Sequence, residues 1–402
     1  MNGHARRPRV LIVGSVVPAL DRGGGCLALH RHFCDRNDFE VAVASRFAKG
    51  STCPTRFELS YGRVLERIRG SSRMLENLSY RFPLFGQTQS LERFARAWSP
   101  DIVFNVADDT HSMSAYRLAR TLSVPFAIHF QDLFAHSTFI PESQRPFTRM
   151  LSVLEDRYSF LQKNADEVFH TCAGMKAWFK EDARGEILYA IGGECSYKSA
   201  RERRAWDSRK SKLVYAGNCY GSYGKMVLEL ARLLDGDPSI SLEVFAMGND
   251  WAAEDVEYFT ERGVYLGYWP FERLREKFLS ADGFLITMGF GEADRIFVQT
   301  SFPTKWCDYA PYGKPIFVWA PEYSSSARFV SETLAGELIS ESSAPSVIEA
   351  MARVFEDSEK RTKLGSAAMY IANHELSGQR LHELLRSRLI SAVSRQRPSS
   401  VN

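Results

Sequence analysis

No apolar run in this 402-residue chain approaches the roughly 20 residues needed to span a bilayer as a helix. Charge of one sign is also scarce. The 51 Lys and Arg against 48 Asp and Glu leave a formal net charge of +3, too small an excess to argue for nucleic acid. The seven cysteines are scattered and no pair stands at metal-ligand spacing, so reduced, buried thiols and a protein without metal or cofactor are expected. The start, Met1 to Arg9, leads into a strand pattern and has no apolar export core, which implies a cytoplasmic protein and argues against an exported binding protein. A dinucleotide fingerprint is missing too. The first strand ends at Gly14-Ser15-Val16-Val17-Pro18 and the next glycines, Gly23-Gly24-Gly25, come nine residues later, too far for a pyrophosphate turn. A dehydrogenase is therefore disfavoured.

The chain does have the length of two α/β domains and an ordinary globular balance of 45% apolar and 25% charged residues. Two stretches alternate strand and helix, each opening on a continuous apolar run of the kind buried on both faces of a parallel sheet. In the first, strands are expected at 9–14, 39–45, 101–106, 125–130 and 167–171, with helices at 26–34 and 112–122. The second opens at Lys212-Leu213-Val214-Tyr215-Ala216-Gly217. Strands follow at 241–247, 264–266, 283–288 and 315–319, with helices at 226–234, 271–279 and 346–356. A polar, Arg- and Lys-rich segment at 197–211 separates the two as a linker. The expected division is an N-terminal domain over 1–196, a C-terminal domain over 212–375, and a helical tail from about 376 to 402. The tail belongs either to the first domain or to the second.

The most informative segment is Ser301-Phe302-Pro303-Thr304-Lys305-Trp306-Cys307-Asp308-Tyr309, running through Gly313 and Pro315 into the strand Ile316-Phe317-Val318-Trp319. It reads as a short helix opened by a polar cap and a proline and closed by a glycine. Free N–H groups at such a cap suit an anion, Lys305 adds a full charge, and Asp308 lies on the same face. That arrangement suits a nucleotide diphosphate, with phosphates at Ser301 to Lys305 and a ribose hydroxyl on Asp308. The other reading is a solvated Lys305–Asp308 pair on an ordinary helix. Upstream, Gly217-Asn218-Cys219-Tyr220-Gly221 links a strand to a helix carrying Lys225. Such a loop either brings backbone N–H groups and Lys225 to a phosphate or is a flexible turn with a solvated lysine.

The first of these segments resembles the donor-binding motif of GT-B glycosyltransferases of the GT4 type, matching at Pro303, Lys305, Tyr309, Gly313 and Pro315, with Asp308 where Glu is usual. The resemblance implies a two-domain GT-B fold, two Rossmann-like doubly wound domains facing a cleft, with the C-terminal helix crossing back to the first. It also implies a retaining, metal-independent transfer from a nucleotide-sugar donor to a glycan, lipid-linked or small-molecule acceptor. In such enzymes an Arg usually follows the first glycine of the loop after the second domain's first strand. Asn218 stands there, leaving Lys225 and Lys305 to hold the diphosphate. Backbone near Leu266-Gly267 would hold the base, with Tyr268 or Trp269 stacking on it or packing in the core. The first of the family's two glutamates is missing, since Thr300 stands eight residues before Asp308. The donor-sugar contact would then come from elsewhere, for instance the Gly289–Glu292 loop.

In the first domain, Phe126-Ala127-Ile128-His129-Phe130-Gln131-Asp132 is a strand with polar groups at its C-terminal end, where ligands of open α/β sheets bind. His129 and Gln131 share a face. His129 either bonds a donor-sugar hydroxyl, orients the acceptor or is a satisfied buried histidine, and Asp132 would accept the acceptor's proton. Asp108, Asp109 and His111 end the neighbouring strand. By resemblance, Gly23, Gly24 and Gly25 approach both donor phosphate and acceptor. The basic, partly apolar stretch 56–81 is either a surface for an anionic membrane or a solvated helix face. A same-fold epimerase or a degenerate, partner-binding relative are the competing functions, the latter suggested by the missing glutamate and arginine.

Overall fold

In the computed structural model the described residues are 6–60, 88–137, 146–180, 183–193 and 210–396. Most of the expected linker and all of the basic stretch beyond Ser60 lie outside them, and with that stretch the expected membrane contact. The chain forms two compact units, residues 1–191 with 381–402, and residues 192–380. Among the described residues no helix is long and apolar enough to cross a membrane.

The first unit is built on a seven-stranded sheet of order β3-β2-β1-β4-β5-β6-β7, every pair parallel. Its strands are β1 (Arg9–Val13), β2 (Glu40–Ser45), β3 (Thr55–Glu58), β4 (Ile102–Val106), β5 (Phe126–Phe130), β6 (Glu167–His170) and β7 (Glu186–Ile187). In β4 and β5 every residue is buried, which is why these runs carry no polar alternation. The edge strands β3 and β7 went unanticipated. Thr55–Glu58 has a single apolar residue, Phe57, and Glu186–Ile187 is only two long, so neither gives a buried-strand signal.

The second unit carries a five-stranded parallel sheet of order β12-β11-β10-β8-β9, from β8 (Ser211–Ala216), β9 (Ile240–Phe245), β10 (Gly283–Thr287), β11 (Ile316–Trp319) and β12 (Glu337–Ile339). The strand expected at 264–266 is a short parallel pairing on the edge of β9. Val244 N–H donates to the Val264 carbonyl (2.7 Å), Leu266 N–H to Val244 (2.9 Å) and Ala246 N–H to Gly267 (3.1 Å). The helix after β8 starts at Gly221, ahead of the expected Met226, because the glycine-rich turn is itself helical.

The tail is split. Ser358–Asn373 is a helix of the second unit, whereas Gly378–Gln396 docks on the first. Its Leu381, Leu385, Leu389 and Ala392, spaced at helical period, enter the core with Leu29 and Phe33. Polar contacts fix that docking. Asp38 takes His382 Nε2 and Arg386 Nε, both at 2.9 Å, and the buried Glu167 pairs with Arg388 (2.8 Å) and Arg395.

Candidate functional site

The C-terminal ends of β8 and β9 and the helix Lys305–Tyr309 assemble one polar site in the second unit. Tyr309 ties that helix to β8: its phenol oxygen accepts from Ala216 N–H at 2.7 Å, and the hydroxyl reaches the Ala216 carbonyl at 3.2 Å. Its ring stacks on Phe284 of β10 at 4.5 Å. One turn earlier, at the spacing that puts two side chains on one face, Lys305 lies across the loop that follows β8. A Cβ on Gly217 would fall 2.4 Å from Lys305 Cε and 2.6 Å from Nζ, so only glycine leaves room for the lysine. The Lys305 ammonium sits 4.8 Å from the Tyr215 ring centroid, and no carboxylate of the described residues lies within ion-pair distance of it. Burial lowers its pKa to about 8, against the pull of Cys219 and Asp308 toward the charged form. A half-buried cation with no counter-ion at the C-terminal edge of a parallel sheet is suited to an anionic ligand.

Other expected residues are placed differently. Ser301 does not open the Lys305 helix. Its N–H closes the preceding helix on Phe297 (2.8 Å) and its carbonyl accepts from the Ser325 hydroxyl, because Pro303 holds the intervening chain out of helical geometry. Phe302 is a core residue packed on Trp306 and Phe329. Thr304 caps by position but makes no side-chain cap bond. With only five residues, Lys305–Tyr309 brings little dipole, so the positive charge is that of Lys305 itself. Asn218 does not replace an arginine: its Oδ1 accepts from Tyr220 N–H (2.9 Å) and shapes the turn. Lys225 is exposed between the buried Gly224 and Met226, on the solvent face of its helix. Asp308 Oδ1 accepts from Gly193 N–H at 3.3 Å, so the carboxylate is already partly committed.

The Leu266–Tyr268 segment does reach the sheet edge, through the Ala246–Gly267 hydrogen bond, with Leu266 half-buried and Tyr268 47% exposed. Beside it stand two residues that sequence reasoning missed. Met247 is 55% exposed just past β9, and Tyr220 lies over Gly248, where a Cβ would meet its ring. Tyr220, Met247 and Tyr268 are thus exposed side chains on the loops that follow β8, β9 and the 264–267 pairing, and a planar ring can stack on side chains of this kind. Exposed aromatics in loops were the available signal. Trp269 instead packs against Phe245 and under the Arg273 guanidinium, 3.6 Å from its ring centroid.

In the first unit the glycine turn holds Gly23 at the N-cap and Gly24 and Gly25 in the first turn of helix Gly24–Phe33, with no acid and no side-chain cap. Gly25 faces Gln131, whose Oε1 lies 2.5 Å from where a Cβ would be. Gln131 Nε2 is 3.4 Å from His129 Nδ1, and His129 Nε2 is 3.1 Å from the Leu188 carbonyl. A carbonyl only accepts, so Nε2 carries the proton and Nδ1 takes the amide's. Burial, with the His170 charge, pulls His129 down to about 3, against the carbonyl. His129 is thus neutral, buried and engaged at both ring nitrogens, the arrangement of a satisfied buried histidine. Asp132 stands half-buried beyond β5.

At the end of β4 the adjacent acids differ. Asp108 gathers the N–H groups of Ser15 (2.7 Å), Thr110 (3.0 Å) and His111. Burial would raise it, but the His111 charge and these donors hold it at about 2. Asp109 takes the Tyr158 hydroxyl, and burial together with the Asp108 charge pushes it up to about 7, against the Tyr158 bond and Arg157. Asp109 can therefore exchange a proton near neutrality. No group of three or more metal-ligating side chains occurs among the described residues.

No protein-family model matches this sequence, and no curated protein is recognisably similar to it. Solved structures are similar along nearly the whole chain. Sucrose-phosphate synthase from Thermosynechococcus elongatus has a TM-score of 0.67 at 13% identity, covering 96% of this chain and 100% of that one. HepE of Anabaena in complex with UDP has a TM-score of 0.63 at 13% identity over the same shares. A glycosyltransferase from Rickettsia africae ESF-5 has a TM-score of 0.64 at 10% identity, covering 98% and 100%. The fold is GT-B. Within that GT-B frame the Lys305–Gly217 contact and the Tyr220, Met247 and Tyr268 face belong to the second Rossmann-like unit, and the Gln131 and Asp109 groups to the first.

Proposed function

We propose that this protein is a glycosyltransferase that moves a sugar from a nucleotide diphosphate donor to an acceptor hydroxyl of a glycan, lipid-linked saccharide or small molecule, as a GT4-like enzyme. The observation that carries the reading is the Lys305 ammonium, half-buried, without a counter-ion among the described residues and laid across Gly217 at the edge of the second unit's sheet. Departure of the nucleoside diphosphate builds negative charge on its phosphate oxygens. A cation already desolvated and already in place stabilises that charge with little reorganisation. The base stacks on Tyr220, Met247 or Tyr268, and a ribose hydroxyl bonds the Asp308 carboxylate. In the first unit Gln131, oriented by His129, offers its Oε1 toward the glycine turn as an acceptor for a substrate hydroxyl. The attacking hydroxyl loses its proton to Asp109, whose pKa of about 7 suits that task better than that of His129 at about 3.

The test is incubation with a panel of uridine, guanosine and adenosine diphosphate sugars, with and without mixed acceptors, following nucleotide release. Acceptor-dependent release of a nucleoside diphosphate is expected. Release of nucleotide with a free epimer or glycal would make the protein an epimerase. No binding of any nucleotide by calorimetry would make it a non-enzymatic relative.

A further inference from the structure

Away from the proposed donor site, two thiols in the first unit face each other. Cys34 Sγ and Cys53 Sγ are 3.5 Å apart, in van der Waals contact. Cys34, half-buried, is the C-cap of helix Gly24–Phe33, while Cys53 is buried in the segment between β2 and β3. The Thr52 hydroxyl is 3.4 Å from Cys34 Sγ and 2.7 Å from His30 Nδ1, so polar hydrogens surround this sulfur. With one thiol reachable and the other buried behind it, attacker and resolver are spatially defined. We propose that Cys34 and Cys53 form an oxidisable dithiol that closes to a disulfide on exposure to a small-molecule disulfide.

The Cys34 thiolate attacks one sulfur of oxidised glutathione and expels one glutathione thiolate, leaving a mixed disulfide. Cys53 then loses its proton, attacks the Cys34 sulfur and expels the second glutathione. Two protein thiols are oxidised, one glutathione disulfide is reduced, and both glutathiones leave as thiols. Electrostatics favour this order. The Cys53 and Thr52 hydrogen bonds with the His30 charge bring Cys34 down to about 6, against its burial, while the contact with Cys34 and burial raise Cys53. The consequence reaches the glycine turn. Ser51 Oγ donates to the Pro18 carbonyl (2.9 Å) and Thr52 N–H to the same oxygen (2.9 Å), and the chain from Pro18 runs into Gly23 and the helix that ends at Cys34. A Cys34–Cys53 bond would fasten both ends of that loop-and-helix unit.

The experiment treats the full-length reduced protein with oxidised glutathione near pH 7 and maps cysteines by non-reducing peptide mass analysis. The expected result is a Cys34–Cys53 cross-linked peptide in the native protein and a persistent glutathione adduct on Cys34 in Cys53→Ser. A glutathione adduct that persists on native Cys34 without cross-link, or modification first at the half-buried Cys26, would overturn the proposal. Iodoacetamide labelling of the native protein against pH needs no variant. A half-point for Cys34 well below that of an ordinary thiol is expected, and an ordinary one would refute the attacker's role.

Discussion

Replacing Lys305 by Met keeps the stem that packs over Gly217 and Tyr215 but removes the charge. Two unit charges 4 Å apart attract by about 4 kcal/mol at an effective dielectric of 20. A charge-assisted hydrogen bond nets about 1.5–3 kcal/mol, so Lys305→Met should weaken uridine diphosphate binding about 10- to 150-fold. Lys225→Met should cost less than about threefold, since its ammonium is exposed and screened. Titration adds an independent reading. With a free-state pKa of about 8, only a few per cent of Lys305 is charged at about pH 9.5. If the ammonium is required, native affinity should fall roughly 30-fold between about pH 7 and 9.5 by proton linkage. The terminal phosphate, with a second pKa near 6, is already about nine-tenths ionised at pH 7, so it adds little slope. Calorimetric titration of the native protein and both variants at several pH values gives the three curves. The Lys305→Met curve should lack that 30-fold fall. Equal losses for the two lysines, or a native affinity indifferent to pH, would refute the assignment of the charge to Lys305.

Buried neutral histidines make the fold acid-sensitive. His129 at about 3, His170 at about 4 and the deeply lowered His32 stay unprotonated when folded, so stability is lost as pH falls below their unfolded value near 6.5. At about 1.4 kcal/mol per unit each, moving to pH 5 removes roughly 4 kcal/mol through His129 and His170 alone, while Asp109, protonated in the fold, returns about 2. Melts should show a clearly lower Tm at pH 5 than at 7.5, and an unchanged Tm would contradict this. Phe302→Ala should cost about 3–5 kcal/mol in denaturant unfolding but leave nucleotide affinity nearly intact, as a core residue does and a ligand contact does not. Removing Arg388 and Arg395 together strands the buried Glu167 and should cost on the order of 3 kcal/mol, and exchange at helix Gly378–Gln396 should show it undocking first. If Asp109 accepts the acceptor's proton, the rate should rise with pH through about 7 and Asp109→Asn should lose that limb along with most turnover.

The sheets were legible because their signal is local. Val10–Val13, Ile102–Phe104 and Phe126–Ile128 are apolar at consecutive positions, as a strand covered on both faces requires. The helices Ser112–Leu122, Phe271–Ser280 and Ala344–Glu356 followed from periodicity in the same way. The site was half legible. Gly217, Lys305 and the Leu266–Tyr268 segment lie at one sheet edge, but Phe302 and Ser301 turned out to be core and cap. A motif records which residues neighbour one another along the chain, and the packing of Trp306, Phe302 and Phe329 decides which of them face inward. Tyr220 and Met247 gave no pattern, since an exposed aromatic in a loop acquires meaning only from its neighbours across strands.

The sequence alone therefore determined two nucleotide-type α/β units and a lysine-bearing turn before a buried strand, because strand runs, helical periods and glycine turns act over a few residues. Tertiary structure decided that Lys305 and not Lys225 meets the glycine loop, and that the Gly378–Gln396 helix belongs to the first unit. It also decided that both ring nitrogens of His129 are engaged, one toward the Leu188 carbonyl and one toward Gln131. Each of those depends on residues far apart in the chain sharing a few ångströms of space, where burial and hydrogen bonding set charge and orientation.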